Sequence, residues 1–337
     1  MRVAIVGAGL QCMRRAEAVK DCSDAELVTI ASRNTVISEK LSSKFGCEPE
    51  KDWISAVNRD DIDAVIVCTP PNLHAEISIT AMRAGKHVLC EKPLSRTLKE
   101  AEDMVRTAKE TGKILKCGFN HRHHPAIFIA KQMVDKGSLG KPLFARCRYG
   151  NCGRPEYEKE WRADPKQAAG GQFIEQGIHA IDLFRWFLGE LAEVCCMTSN
   201  HFFKKMPLED DGMAIFRAKS GATATLHTTL AQWKNLFSFE VFCEEGYAII
   251  DGLGGSYGEE KLTVGKRDFN SPFQDKITYF RRADQSWREE LKEFIESIKE
   301  GREPIGNGKD GLESMRVALT AYKSEKEGRI LRINHNK

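Results

Sequence analysis

Through residues 1–118 short apolar runs alternate with amphipathic stretches. The runs occupy 3–6, 27–31, 64–68, 88–90 and 114–117, and stretches such as 73–84 and 97–111 carry apolar residues at helical spacing. That alternation predicts a parallel sheet with helices on both faces. After residue 119 the pattern changes. A helix-like segment at 126–136 leads to strand-like runs at 142–149, 192–199, 212–218, 221–229, 236–243 and 247–251, the last four in close succession like an antiparallel meander. Residues 170–188 read as one helix between the first two of these strands, and 287–299 and 312–323 as two closing helices. The expected architecture is α/β: an N-terminal dinucleotide-binding domain over 1–118, then an α+β domain over 119–337 with an open, mostly antiparallel sheet. The C-terminal helices are placed to pack back on the first domain. In the strand at 236–243, Phe237, Phe239, Val241 and Cys243 alternate with more polar positions, and we assign them to an uncovered sheet face. Two such faces paired across a two-fold axis predict a homodimer or homotetramer.

Composition narrows the function classes. The 337 residues carry 51 Lys and Arg against 48 Asp and Glu, so no electrostatic case exists for nucleic acid, and no basic run suggests a membrane surface. No run approaches the roughly 18 apolar residues that a membrane span needs. The opening Met1-Arg2-Val3-Ala4-Ile5-Val6-Gly7 reads as a strand entering a glycine turn, not as a signal peptide. Eleven cysteines lie scattered, several inside apolar runs, with no C-x-x-C pair. They read as buried hydrophobes of a cytoplasmic protein.

The first strand ends in Gly7-Ala8-Gly9-Leu10-Gln11-Cys12, a G-x-G-x-x-G pattern with cysteine at the third glycine. Gly7 permits the tight turn, Gly9 lets the backbone approach a pyrophosphate, and the helix that follows, beginning at Leu10, offers free N–H groups. About 20 residues further on, where an NAD-preferring fold places an acid, stand Ser32 and Arg33. Without the carboxylate a 2′-phosphate is not repelled; Arg33 can pair with it and Ser32 can donate to it. NADP is therefore favoured over NAD. The alternative is an Arg33 that stacks on the adenine of either cofactor.

The stretch 87–95 begins as a buried strand and leaves the core through Glu91-Lys92-Pro93. Proline cannot donate to a ladder, so the acid and base fall at a strand's carboxyl end, where open parallel sheets bind ligands. On the helix expected at 170–188, Glu175 and His179 are i,i+4 neighbours with Asp182 one turn on. A histidine with a carboxylate nearby is a good general base near neutral pH. Gly177 between them suggests that something flat approaches the backbone there.

Together these segments resemble the Gfo/Idh/MocA oxidoreductase family, the group of glucose–fructose oxidoreductase and inositol dehydrogenase. The resemblance is carried by the glycine loop, Cys68-Thr69-Pro70-Pro71-Asn72 with His74, the stretch 84–93, Gly118-Phe119-Asn120-His121-Arg122 with Pro125, Trp161-Arg162, the 170–182 segment, and Gly301-Arg302-Glu303-Pro304 followed by Asp310-Gly311. It implies a Rossmann domain followed by a domain with an open sheet. It further implies a hydride transfer between a nicotinamide and a hydroxyl of a sugar, sugar derivative or cyclitol. In that likeness Glu91-Lys92-Pro93 closes the nicotinamide end of the site, with Lys92 and His179 catalytic. Thr69, Pro70, Asn72, His74, Asn120, Trp161 and Arg162 match cofactor contacts. Asn120, His121, Arg122 and His123 fall to the substrate pocket, as does Glu175, which stands where the family usually has aspartate. No metal is expected at His121–His124. The same fold also serves redox-neutral sugar-cleaving enzymes with a tightly held cofactor, and non-catalytic sensors; a sensor has no need of both Lys92 and His179.

Overall fold

A computed structural model describes residues 1–272 and 274–335. In chain order the elements are β1 (Arg2–Val6), α1 (Leu10–Lys20), β2 (Glu26–Ala31), α2 (Thr35–Phe45), β3 (Glu48–Glu50), α3 (Trp53–Val57), β4 (Ala64–Val67), α4 (His74–Arg83), β5 (His87–Cys90), α5 (Leu98–Thr111), β6 (Leu115–Cys117), α6 (Pro125–Asp135), β7 (Pro142–Gly150), α7 (Gln172–Glu175), α8 (Gly177–Leu188), β8 (Leu191–Ser199), β9 (Asp211–Ala218), β10 (Thr223–Thr229), β11 (Leu236–Cys243), β12 (Gly246–Asp251), β13 (Glu260–Lys266), β14 (Asp275–Phe280), α9 (Ser286–Glu300), α10 (Gly308–Glu327) and β15 (Leu331–Arg332). They fall into two compact units. The first comprises Met1–Asn120, Lys166–Ala169 and Ser286–Leu312; the second comprises His121–Pro165, Gly170–Gln285 and the chain after Leu312.

The first unit holds a six-stranded parallel sheet ordered β3-β2-β1-β4-β5-β6. Its central strands are apolar on both faces, as a sheet covered by helices requires. Val3, Ile5, Ile30, Ile66 and Leu89 pack with Leu291, Phe294 and Ile295 of α9, so a C-terminal helix completes the core of the N-terminal sheet. α5 begins at a capping box in which the Thr97 hydroxyl accepts from the Glu100 N–H while Glu100 accepts from the Thr97 N–H. β3 was not expected: Glu-Pro-Glu offers no apolar pattern, and proline is tolerated there because the strand is at the edge.

The second unit holds a nine-stranded sheet ordered β14-β13-β12-β11-β7-β10-β9-β8-β15. Here the expected meander is corrected. β9 and β10 pair antiparallel, but β7 lies between β10 and β11, parallel to the first and antiparallel to the second. Sequence proximity favours adjacent pairing, whereas the long connection after β7 lets that strand take the central place. β13 and β14 add two strands beyond those expected, and β14 is an exposed edge strand. A second correction concerns the sheet faces. Phe237, Phe239, Val241 and Cys243 are buried at 8% exposure or less, on the face that α8 covers. The open face carries the opposite parity, with Met197, Met213 and Ile215 exposed.

Candidate active site

At the carboxyl edge of the parallel sheet β1 turns into α1 through the glycine loop. Gly7 sits at φ 106°, and a Cβ there would lie 2.7 Å from the Cys68 carbonyl, so only glycine fits. A Cβ on Gly9 would meet nothing within 4 Å, which leaves the backbone open on that side. Leu10 begins α1 with its side chain exposed. Around this opening stand buried polar atoms that no described residue satisfies: Gln11 Oε1, Thr69 Oγ1 and Asn72 Oδ1. Buried polar atoms without partners are rare, and here they fit a polar ligand laid along the sheet edge. Pro70 precedes the turn that carries Asn72. At the end of β2 the Ser32 hydroxyl accepts from the Asn34 N–H, Asn34 caps α2, and Arg33 is exposed. No acid adjoins Ser32 in sequence, although Glu50 of β3 is paired beside Ala31.

The exit from β5 is held on several sides. Glu91 is buried and accepts from Arg15 Nε of α1 at 2.7 Å; Arg15 Nη1 reaches Glu290 of α9 at 2.6 Å, and its guanidinium lies 4.6 Å from the Trp287 ring. Burial lifts the Glu290 carboxyl above the usual range, against the pull of Arg15 and Lys116. One strand over, Lys116 donates to Glu293 at 2.9 Å. Burial works to raise the Glu293 carboxyl, but Lys116, Arg302 and the Ile305 N–H outweigh it and hold it below the usual range. On the other side His74 stands between the Thr69 carbonyl (2.7 Å) and the Pro93 carbonyl (2.9 Å). Burial holds the His74 ring below the usual histidine range. The ring thus ties the loop after β4 to the loop that presents Lys92, which is itself half-buried. Asn120 is buried and donates to the Ser286 hydroxyl at 2.9 Å.

In the second unit the expected single helix is two. The His179 N–H donates to the Gln176 carbonyl three residues back, and α7 gives way to α8 at Gln176. Glu175 and His179 therefore do not stack along one unbroken helix. Gly177 is explained by the sheet: a Cβ there would lie 3.1 Å from Thr228 Cγ2 and 3.2 Å from Leu226 Cδ2 of β10, so the close neighbour is a strand and not a flat ligand. His179 is buried on α8, its ring stacked on that of His121 at a centroid distance of 3.8 Å. Arg122, expected at the substrate, holds Asp182 in a two-pronged buried pair at 2.7 and 2.6 Å. Glu175 accepts from Arg162 Nε at 3.2 Å, and Arg162 stacks on Trp161 at 4.3 Å. His123 is buried, and His124 contacts Glu260 at 2.9 Å. Among the described residues no group of three or more His, Cys, Asp or Glu is placed to hold a metal ion.

Several residues at these places were not singled out by sequence reading. Arg15 had a visible signal, since it occupies an apolar position with Cys12, Ala16 and Val19 on the buried face of α1. Glu209 had none. Its carboxylate accepts from the N–H groups of Gly171 and Phe173 and from the Tyr322 hydroxyl at 2.6 Å, and so caps α7 from a loop 38 residues away. Tyr149 and Tyr257, which contact His121 and Gln176, are likewise ordinary aromatics in the sequence.

The chain matches two family models in succession. Residues 1–119 match the oxidoreductase family with the NAD-binding Rossmann fold, and residues 129–249 match the GFO/IDH/MocA C-terminal domain. It is 29% identical to myo-inositol 2-dehydrogenase of Thermotoga maritima over 99% of this chain and 98% of that one. It is 31% identical to dTDP-3,4-didehydro-2,6-dideoxy-alpha-D-glucose 3-reductase of Actinomadura kijaniata over 67% of each. The fold is shared with levoglucosan dehydrogenase in complex with NADH and levoglucosan, at a TM-score of 0.91 and 24% identity over 99% of this chain and 100% of that one. With both domain models matched in order along one chain, this protein belongs to the Gfo/Idh/MocA family of oxidoreductases.

Proposed function

We propose that this oxidoreductase is an NAD(P)-dependent dehydrogenase acting on a hydroxyl of a sugar, sugar derivative or cyclitol. The observation that carries the reading lies at one sheet edge: the open backbone at Gly9, the unsatisfied Thr69 Oγ1 and Asn72 Oδ1, and Lys92 on the loop after the neighbouring strand. The named relatives, which act on inositol and on sugars, support the substrate class. The nicotinamide, when bound, supplies the hydride acceptor. Gly7, Gly9, Leu10, Thr69, Pro70, Asn72, His74, Glu91 and Asn120 would hold the cofactor, the glycine loop at its pyrophosphate, with Trp161 and Arg162 as further contacts. Lys92 sets a fixed positive charge beside the reacting hydroxyl and stabilises its alkoxide character. His179 takes the hydroxyl proton on a ring nitrogen. Glu175, with His123, reads the remaining hydroxyls, while the His121 ring lines the pocket and Arg122 supports it through Asp182. The extra methylene of Glu175 over aspartate moves its carboxylate outward, where it accepts from Arg162, so the substrate is not borrowed from an aspartate-bearing relative.

Two finer readings accompany it. NADP is the preferred cofactor, supported by the missing acid at Ser32 and the exposed Arg33. The protein is a cytoplasmic homodimer or homotetramer, supported by eleven cysteines without a disulfide and by the apolar open face of the second sheet. No helix among the described residues is long and apolar enough to cross a membrane.

The direct test is Lys92→Met, assayed by nicotinamide absorbance against a panel of sugars, sugar acids and inositols. Removing an oriented charge of this kind costs on the order of 10²–10³ in kcat. Cofactor affinity should hold, and unchanged turnover would remove Lys92 from the chemistry.

A further inference from the structure

His121 is the ring that stacks on His179. It lies on the turn that precedes α6, 5% exposed, and stacks on His179 at 3.8 Å with 19° between the ring planes. Its Nε2 stands 3.1 Å from the Tyr149 hydroxyl of β7. Phe237 of β11 meets its edge at 5.6 Å and His124 at 5.7 Å, both near perpendicular. A ring boxed by three neighbours and tethered through one nitrogen cannot turn freely, and a second ring laid flat on it inherits that plane. Face-to-face contact also matters once His179 carries a proton, because the π face of a neutral ring attracts a cation.

We propose that His121, held by Tyr149, is a positioning residue for His179: it fixes the plane of the His179 ring and so the direction of the nitrogen that takes the hydroxyl proton. This rests on the role of His179 given above and adds to it a partner whose contribution is orientation. The hydroxyl proton passes to His179, and His121 gains and loses nothing. A base misplaced by about 1 Å loses on the order of 10²-fold in rate, so the effect should appear in kcat and not in cofactor affinity.

The test compares His121→Ala, His121→Phe and Tyr149→Phe in the full chain. Turnover is measured with myo-inositol and levoglucosan as probes, NADH binding by fluorescence, and the His179 ring by NMR of histidine-labelled protein. His121→Ala should lower kcat by about 10- to 100-fold with the NADH dissociation constant within about twofold of wild type. His121→Phe, which keeps the stack, should recover most of that loss, and Tyr149→Phe should fall between. The His179 ring signals should be a single sharp set in the wild type and in His121→Phe, and shifted and exchange-broadened in His121→Ala. A His121→Ala protein with wild-type kcat and unchanged His179 signals would overturn the proposal. So would a His121→Phe protein as slow as His121→Ala, since a nitrogen and not the stack would then be required. If the wild type oxidised neither probe, turnover would be read with whichever sugar, sugar acid or inositol of the panel it does oxidise; oxidation of none would remove the dehydrogenase reading, and the His179 signals alone would still decide the stack.

Discussion

At the scale of single residues, the cofactor preference turns on the shortest piece of chain. In the proposed NADP preference the Ser32 hydroxyl, which accepts from the Asn34 N–H, keeps its own proton to donate, and Arg33 adds the positive charge. Charge-assisted hydrogen bonds contribute about 1.5–3 kcal/mol each. Arg33→Ala should therefore weaken NADP by about one to two orders of magnitude and leave NAD nearly unchanged. Ser32→Asp should move the preference toward NAD, since a carboxylate can hold the ribose diol and repel a phosphate. Titrating both cofactors against both variants decides it: parallel losses would make Arg33 an adenine-stacking residue. The glycine loop was readable without coordinates because its requirements are local. Gly7 must adopt a backbone angle that other residues avoid, and the backbone at Gly9 lies open.

Among elements, the pair α7–α8 depends on a clamp that lies far away in sequence. A Cβ on Gly171 would sit 2.2 Å from the Glu209 carbonyl oxygen, and one on Gly170 would sit 2.4 Å from the Tyr322 hydroxyl. The two glycines let the Glu209 carboxylate approach the start of α7 and accept from its N–H groups, while the Tyr322 hydroxyl donates to the same carboxylate. Gly171→Ala must push that clamp away, at a cost of about 1–3 kcal/mol for overpacking. We expect a melting temperature lower by several degrees and a reduced kcat, read by calorimetry and steady-state kinetics. A wild-type melting temperature would mean that the loop yields without strain. Helical spacing predicted a single element here because the period continues across residue 176. The break comes from β10, which packs against Gly177, and no local pattern encodes that neighbour.

For the molecule as a whole, the proposed assembly rests on the open face of the second sheet. Met197, Met213 and Ile215 are 73%, 52% and 60% exposed on it, a contiguous apolar surface of the kind that marks an interface. If two copies pair there, Ile215→Glu buries an unpaired carboxylate in each partner and should raise the dissociation constant by roughly 100-fold or more. Light scattering across a dilution series should then show a monomer where the wild type remains assembled. A wild type that is monomeric at micromolar concentration would exclude the interface.

What the sequence alone determined follows from period and local stereochemistry. Five of the six parallel strands, the helices α1, α4 and α5, the glycine turn and the exit at Glu91-Lys92-Pro93 were legible because a buried strand, an amphipathic helix and a tight turn each leave a mark within a few residues. Tertiary structure decided whatever depends on partners distant in the chain. It set β7 between β10 and β11, chose which parity of β11 faces α8, and joined α9 to the first sheet through Arg15, Glu91 and Glu290. It also paired Arg122 with Asp182, laid His121 on His179 and brought Glu209 to α7. The physical reason is shared by all of these: alternation says that one face is buried but not which face, and a charged residue does not announce the partner that will neutralise it.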